Sequence, residues 1–335
     1  MQRAARPGEP ARAIDMHVDT PWQVHFKGHD VGLSDGEASA KALREGQYGA
    51  IVYPIYIADH LHGGHPTIKD ADEIYDAVDD ILKARTDLLW PATSGPTPDD
   101  AHVTAYVSIE GAGAFAEDIT QIDRFVARGV VLIGPVHSHD DKLATSATGQ
   151  DKTHGLSELG KKFCERVYAA GALVDVSHMS DAGFADLVPI AAKYGAPIVA
   201  THSNSRVIAD VPRNLTDDEL RTIGKTGGVA GLNFYHEFVR ATGEATRADL
   251  VRHALHMVDV AGIDHVGIGS DFDGGTPAKG LDDASYLPKL AADLRAAGLS
   301  ESDVQKIFSE NTKRVLRWTD EARAKAKARA SDANL

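Results

Sequence analysis

Apolar residues in this chain fall into two alternating kinds of run. Short stretches rich in Val, Ile and Leu read as buried strands, and longer ones repeat their apolar residues every three or four positions, as one face of a helix does. Strands are expected at Ala13–Val18, Gly49–Ile57, Val103–Ile109, Val130–Val136, Leu173–Ser177, Ile198–Thr201, Val229–Tyr235 and His265–Ser270. Helices are expected between them at Glu37–Glu45, Ile68–Arg85, Ile119–Arg128, Ser157–Ala170, Asp181–Tyr194, Asp217–Gly224 and Arg247–Ala261, with two more, Ala284–Ala297 and Ser302–Leu316, after the last strand. In the Ile68–Arg85 segment, Ile74, Val78, Ile81 and Leu82 share one face. Gly129, Gly171, Gly195 and Gly262 follow helical segments, as C-terminal caps commonly do. Thr216-Asp-Asp-Glu219 has the spacing of a capping box at a helix start.

Eight alternations of strand and helix imply a parallel sheet, and eight such units are the number that closes a barrel. The expected fold is therefore α/β, a (β/α)8 TIM barrel. A doubly wound open sheet is the competitor, but no Gly-x-Gly-x-x-Gly follows the first strand, so the dinucleotide fingerprint is absent. The expected organisation is a loose N-terminal arm over residues 1–12, one barrel over 13–318 and a charged tail over 319–335.

Composition narrows the partners. A formal charge of −14 repels phosphate backbones, which argues against nucleic acid. The single cysteine, Cys164, cannot form an internal disulfide and sits in a helical apolar pattern as a small core residue. No apolar run approaches the roughly 18 residues of a membrane span, so no membrane partner is expected. The first ten residues lack the apolar core of a signal peptide. The expected location is the cytoplasm, although a chain with a trimmed leader would look the same.

The chemistry gathers at the strand ends. His17 and Asp19 close strand one, Glu110 strand three, His137 strand four, His178 strand five, His202 strand six and Asp271 strand eight. In barrels of this kind the C-terminal strand ends build the active site. Imidazole and carboxylate are the ligands expected for zinc when no thiolate is present. His17 and Asp19, two apart on a strand, project the same way. A lone strand-end histidine is usually hydrogen-bonded structure, but ligand-type residues at six strand ends together point to metal. With a carboxylate able to bridge, a two-metal hydrolytic centre is the natural expectation. His60, His62 and His65 read as a polar loop near the barrel mouth, and Asp140 and Asp141 as solvated loop.

The ordered motifs are His17-x-Asp19-Thr-Pro, Ile-Glu110-Gly, Val-His137-Ser, Asp-Val-Ser-His178, Thr-His202-Ser-Asn-Ser-Arg, Pro-Arg213-Asn-Leu-Thr-Asp-Asp-Glu-Leu and Gly-Ser-Asp271-Phe-Asp273-Gly. Together they resemble the membrane (renal) dipeptidase family, over nearly the whole chain. The resemblance implies a binuclear zinc peptidase on a barrel of the metallo-dependent hydrolase type. It implies one Zn²⁺ on His17 and Asp19, a second on His178 and His202, and Glu110 bridging both. His137 would touch the substrate and polarise the scissile carbonyl, Arg213 would bind the free C-terminal carboxylate, and Asp271 would be the acid/base residue. Tyr235 would line the pocket.

Read as chemistry, a water bridging two zinc ions attacks the amide carbon, and Asp271 shuttles its proton to the leaving amine. The substrate is then a dipeptide with a free carboxylate, and the family further implies tolerance of a D-residue at the second position and a homodimer. With one cysteine and no hydrophobic tail, the chain resembles soluble bacterial-type members. It departs from the family in having Glu110-Gly-Ala-Gly where Glu-Gly-Gly-His is common, and in the three-histidine loop after strand two. A binuclear amidohydrolase acting on N-acyl amino acids, lactams or phosphoesters is the rival. Such barrels open with His-x-His and often use a carboxylated lysine as bridge, whereas this chain has His-x-Asp and Glu110. A metal-binding relative without peptidase activity is a third reading, and Asp271 and Arg213 argue against it. Alone, Arg213 has a surface salt bridge as its competing reading.

Overall fold

The apolar runs become a ring of parallel strands in a computed structural model, which describes residues 12–332. In chain order the ring is β1 Ala13–Asp15, β2 Tyr48–Tyr56, β3 Val103–Glu110, β4 Val130–Ile133, β5 Leu173–Val174, β6 Val199–Ala200, β7 Val229–Leu232 and β8 Val266–Ile268. Each strand pairs in parallel with the next, and β1 with β8. Between β5 and β6 the ladder thins to one bridge, Asp175 opposite Val199, with the Val176 N–H donating to the Val199 carbonyl at 2.9 Å. The barrel is nearly closed, as its eightfold pattern predicts.

A ninth strand, Leu89–Pro91, pairs with Val103–Ala105, the part of β3 that β4 leaves unpaired until Val107. Three residues are too few to show a period, so the sequence pattern does not reveal it. Several ladders also end earlier than the apolar runs do. β1, β5 and β7 stop at Asp15, Val174 and Leu232 because Asp15, Asp175 and Asn233 side chains then capture the amides of His17, Ser177 and Tyr235. β4 stops before Pro135, which has no N–H to give.

The helices pack outside the ring. Helix Ile68–Ala84 buries Ala71, Ile74, Val78 and Ile81, with Leu82 half-buried against the same core. At helix Asp217–Thr226 the capping box forms: Thr216 Oγ1 accepts from the Glu219 N–H at 3.2 Å, and the Glu219 carboxylate accepts from the Thr216 N–H at 2.8 Å. Cys164 is fully buried, which pushes its thiol pKa up. A single helix, Asn311–Asp332, runs under the N-terminal end of the barrel and across the expected boundary at 318. Trp318 Nε1 donates to the Gly195 carbonyl at 3.0 Å, and the Arg323 guanidinium donates to the Val130 carbonyl. The expected arm lies outside the described residues except for Arg12, which donates to the carbonyls of Tyr48 and His102 at 2.6 and 2.8 Å. Residues 333–335 of the tail lie outside them too. Among the described residues, no helix is long and apolar enough to cross a membrane.

Candidate metal centre

At the C-terminal end of the ring, five side chains from four strand ends converge. His17 Nε2 lies 3.3 Å from Asp19 Oδ2 and 3.5 Å from Glu110 Oε2. Across the opening, Glu110 Oε1 lies 3.0 Å from His178 Nε2 and 3.4 Å from His202 Nε2, and those two nitrogens are 3.0 Å apart. Glu110 thus turns one oxygen to each histidine group. His17, Asp19 and Glu110 form one group able to hold a metal ion, and Glu110, His178 and His202 another, with donor atoms within 4.8 Å of one another in each. Asp271 forms a third with His17 and His202.

The donors fit a cation better than they fit one another. His17 Nε2 and Asp19 Oδ1 are buried without a hydrogen bond despite their carboxylate and imidazole neighbours. Gly274 leaves the space: a Cβ there would come within 2.3 Å of Asp19 Oδ2 and 2.5 Å of Asp271 Oδ1. Burial disfavours charge on His17, yet Asp19 and Glu110 outweigh it and hold its pKa well above the ordinary imidazole value. Burial pushes Asp19 up to about 7. Glu110, also buried, is held well below the usual carboxylate range by His17 and His178. Burial, reinforced by Arg213, holds His178 and His202 well below the ordinary value, so both offer lone pairs.

The local backbone explains how the strand ends deliver these groups. Asp15 Oδ1 accepts from the amides of His17 and Ser270 at 3.2 and 2.8 Å, joining the ends of β1 and β8. Asp175 does the same for β5 and β6, accepting from Ser177 and Thr201 amides at 3.0 and 2.9 Å. His178 and Asp271 both take positive φ, 72° and 67°, a region costly for residues other than glycine. The turn at His178 is gripped from the loop after β4, whose Ala147 N–H donates to the His178 carbonyl at 2.7 Å.

The remaining expected residues surround the cluster. The His137 ring lies against His178, centroids 4.1 Å apart, with its Nδ1 side turned to Ser138 Oγ at 2.9 Å and Tyr56 Oη at 3.3 Å. Arg213 is buried and donates to the His202 carbonyl and Ser203 Oγ, both at 3.3 Å. Its Nε has no hydrogen bond, and among the described residues no carboxylate pairs with it within 4 Å. The surface salt bridge is therefore not what the structure forms. Tyr235 sits half-buried at the end of the β7 segment, with its ring against Gly275. His60, His62 and His65 are exposed and belong to none of the metal-capable groups, and His62 instead meets Asp70 at 2.8 Å. Asp140 is more than solvated loop: its carboxylate accepts from the amides of Ser146, Gln150 and Asp151. Asp273 faces away from Asp271, accepting from Thr20 Oγ1 at 2.6 Å and the Glu37 amide at 2.7 Å.

Three features escape the sequence pattern. Asn233, fully buried, donates to Asp271 Oδ2 at 2.9 Å while its Oδ1 accepts from the Tyr235 amide, and only an asparagine at a strand end hints at it. Asp59 accepts from the amides of Ser138 and His139 and so fixes the turn beyond His137. Trp22 packs, tilted, between Phe26 and Tyr56, centroids 4.1 and 4.7 Å away, forming an aromatic wall that continues to His137.

Similarity to known proteins agrees with this geometry. A family described as membrane dipeptidase, peptidase family M19, matches residues 1–330. An uncharacterized dipeptidase of Schizosaccharomyces pombe is 31% identical over 92% of this chain and 81% of its own length. Dipeptidase ataJ of Aspergillus terreus is 27% identical over 95% of this chain and 87% of its own. Among solved structures, a metallopeptidase of Rhodobacter sphaeroides, liganded with a phosphinate mimic of L-Ala-D-Ala, superposes with a TM-score of 0.83 at 26% identity, covering 93% of this chain and all of that one. Strand-end chemistry, fold and relatives converge: the chain belongs to the membrane dipeptidase family and is a metallo-dipeptidase.

Proposed function

We propose that this dipeptidase uses two zinc ions to cleave dipeptides bearing a free C-terminal carboxylate, with a D-residue tolerated in the second position. The observation that carries the two-ion reading is the division of Glu110, one oxygen toward His17 and the other toward His178 and His202. On this reading His17 and Asp19 would hold one ion, His178 and His202 the other, and Glu110 would serve both. Bound there, such ions supply an activated water at neutral pH and an electrophile for the carbonyl.

The chain's own groups do the rest. Arg213, buried and lacking a carboxylate of its own, is suited to the substrate carboxylate, where its fork replaces the ion pair the fold withholds. The fixed ring of His137 donates to the carbonyl oxygen as charge develops there. Asp271, with Oδ2 held by Asn233, receives the proton released by the attacking water at Oδ1 and passes it to the leaving amine. Tyr235 lines the pocket. The R. sphaeroides relative is liganded with a phosphinate mimic of L-Ala-D-Ala, which supports the tolerance of a D-residue.

The test is release of free amino acids from a panel of L,L and L,D dipeptides, before and after chelation. Turnover that stops on chelation and returns with Zn²⁺ is the expected result. No turnover of any dipeptide, by protein holding two ions per chain, would sink the reading in favour of an amidohydrolase with another substrate.

A further inference from the structure

The three histidines of the cluster are not held alike. The distal Nδ1 atoms of His17 and His178 have no hydrogen-bond partner among the described residues. His202 differs: its Nδ1 lies 2.7 Å from Thr201 Oγ1, which lies 2.5 Å from Asp175 Oδ2. All three residues are buried.

The direction of this chain of hydrogen bonds follows from its end. Burial pushes the Asp175 carboxyl up, but its Oδ1 accepts two backbone N–H groups and these favour the carboxylate form. The Thr201 hydroxyl has one proton, and the carboxylate oxygen at 2.5 Å is a stronger and nearer acceptor than Ser177 Oγ at 3.5 Å. With its proton given to Asp175, Thr201 Oγ1 can only accept from His202 Nδ1–H. That fixes the proton on Nδ1 and leaves Nε2, the atom facing Glu110 and His178, with its lone pair. The His202 backbone needs none of this, because its N–H donates to Ser177 Oγ and its carbonyl accepts from Asn233 and Arg213.

We propose that Asp175 and Thr201 form a positioning relay that sets the tautomer and ring orientation of His202, making the His178–His202 side a pre-organised metal site and the His17–Asp19 side an unclamped one. The relay rests on the two-ion reading above. Its consequence is an affinity difference that belongs to one ion of the pair, since partners behind a ligating histidine change metal affinity by roughly 10- to 100-fold.

The experiment is a Zn²⁺ titration of the metal-stripped full chain against a competing chelator dye. Circular dichroism and thermal unfolding of the metal-free proteins serve as the folding control. Thr201→Val should weaken one of two ions by roughly 10- to 100-fold and leave the other unchanged, and Thr201→Ser, which keeps the hydroxyl, should restore it. Asp175→Asn should weaken the same ion with Thr201 intact, because its amide donates to Oγ1 and turns the hydroxyl proton toward His202 Nδ1. That variant carries the test should Thr201→Val fail to fold. Folded Thr201→Val or Asp175→Asn protein holding both ions at wild-type affinity overturns the relay alone, as does Thr201→Ser as weak as Thr201→Val. Wild-type protein that takes up no Zn²⁺ overturns the two-ion reading and the relay with it.

Discussion

The two ends of the barrel satisfy their strand backbones with opposite charges. At the N-terminal end, cationic and amide side chains from outside the ring cap carbonyls. Arg12 takes Tyr48 and His102, Arg314 takes Gly227 and Asp264, Arg323 takes Val130, and Asn311 takes Ile263 and Val266. At the C-terminal end, buried carboxylates cap amides from within: Asp15 takes His17 and Ser270, and Asp175 takes Ser177 and Thr201. The first arrangement leaves its charges near water. The second buries Asp15 and Asp175 together with Asp19 and Glu110, and the buried Arg213 is the cation that acts on Glu110 and Asp175. Buried charge without a partner is costly, so the upper end is built for added positive charge while the lower end is complete. Stability and chemistry are thereby divided between the two faces, as barrels of this kind divide them.

Substitutions at each end should separate accordingly. The largest effect is expected at the top: Asp271→Asn should cut dipeptide turnover by roughly 10²- to 10⁴-fold, with metal content and unfolding temperature unchanged. Steady-state kinetics beside metal analysis checks both halves, and a fully active variant would rule out the proposed proton shuttle. Next comes Arg213→Met. Losing a charge-assisted contact of about 1.5–3 kcal/mol should raise KM by roughly 10- to 100-fold. The same variant should lose the preference for a free carboxylate over a C-terminal amide, a comparison that a merely structural role would not move.

At the bottom, Asn311→Ala should do the reverse. Asn311 is buried, and its amide donates to the carbonyls of Ile263 and Val266, both at 2.8 Å. Leaving them unpaired should cost about 1–3 kcal/mol of stability, read as a lower urea midpoint, with kcat/KM unchanged at 25 °C. A loss of activity in folded Asn311→Ala protein would show that the two ends are coupled.

The division also explains what the sequence pattern could reveal. Ring and helices were legible because burial imposes period: the runs at Ile51–Ile57 and Val103–Ile109 read as strands buried on both faces, and Ile74, Val78 and Ile81 as one helical stripe. His17, Glu110, His178 and His202 were legible because each ends such a run. The strand limits were not, because Asp15, Asp175 and Asn233 replace ladder bonds with side-chain bonds that have no periodic signature. Nor was the Asp175–Thr201–His202 contact, which joins two strands across a single bridge, or Asp59, which reaches the loop of another strand. Contacts between segments far apart in the chain follow from the fold and not from spacing.

Asp59 gives the smallest effect and the sharpest sign. Its carboxylate accepts from the Ser138 amide at 3.0 Å, the His139 amide at 3.1 Å and His139 Nδ1 at 3.0 Å, with His137 Nδ1 an ion-pair neighbour at 3.7 Å. Burial opposes the charge, but these partners outweigh it and hold the carboxyl at about 2. A carboxyl depressed by folding contributes stability above its unfolded value of about 4, and that contribution is lost as pH falls toward the folded value. Asp59→Asn should therefore be less stable than wild type at about pH 6, and the gap should narrow as pH drops from about 5 toward about 3, followed by urea midpoints. A gap that stays constant would mean that the amide geometry, and not the charge, holds the turn beyond His137. A gap that widens on acidification would place the carboxyl above its ordinary value and reverse the electrostatic assignment of this loop.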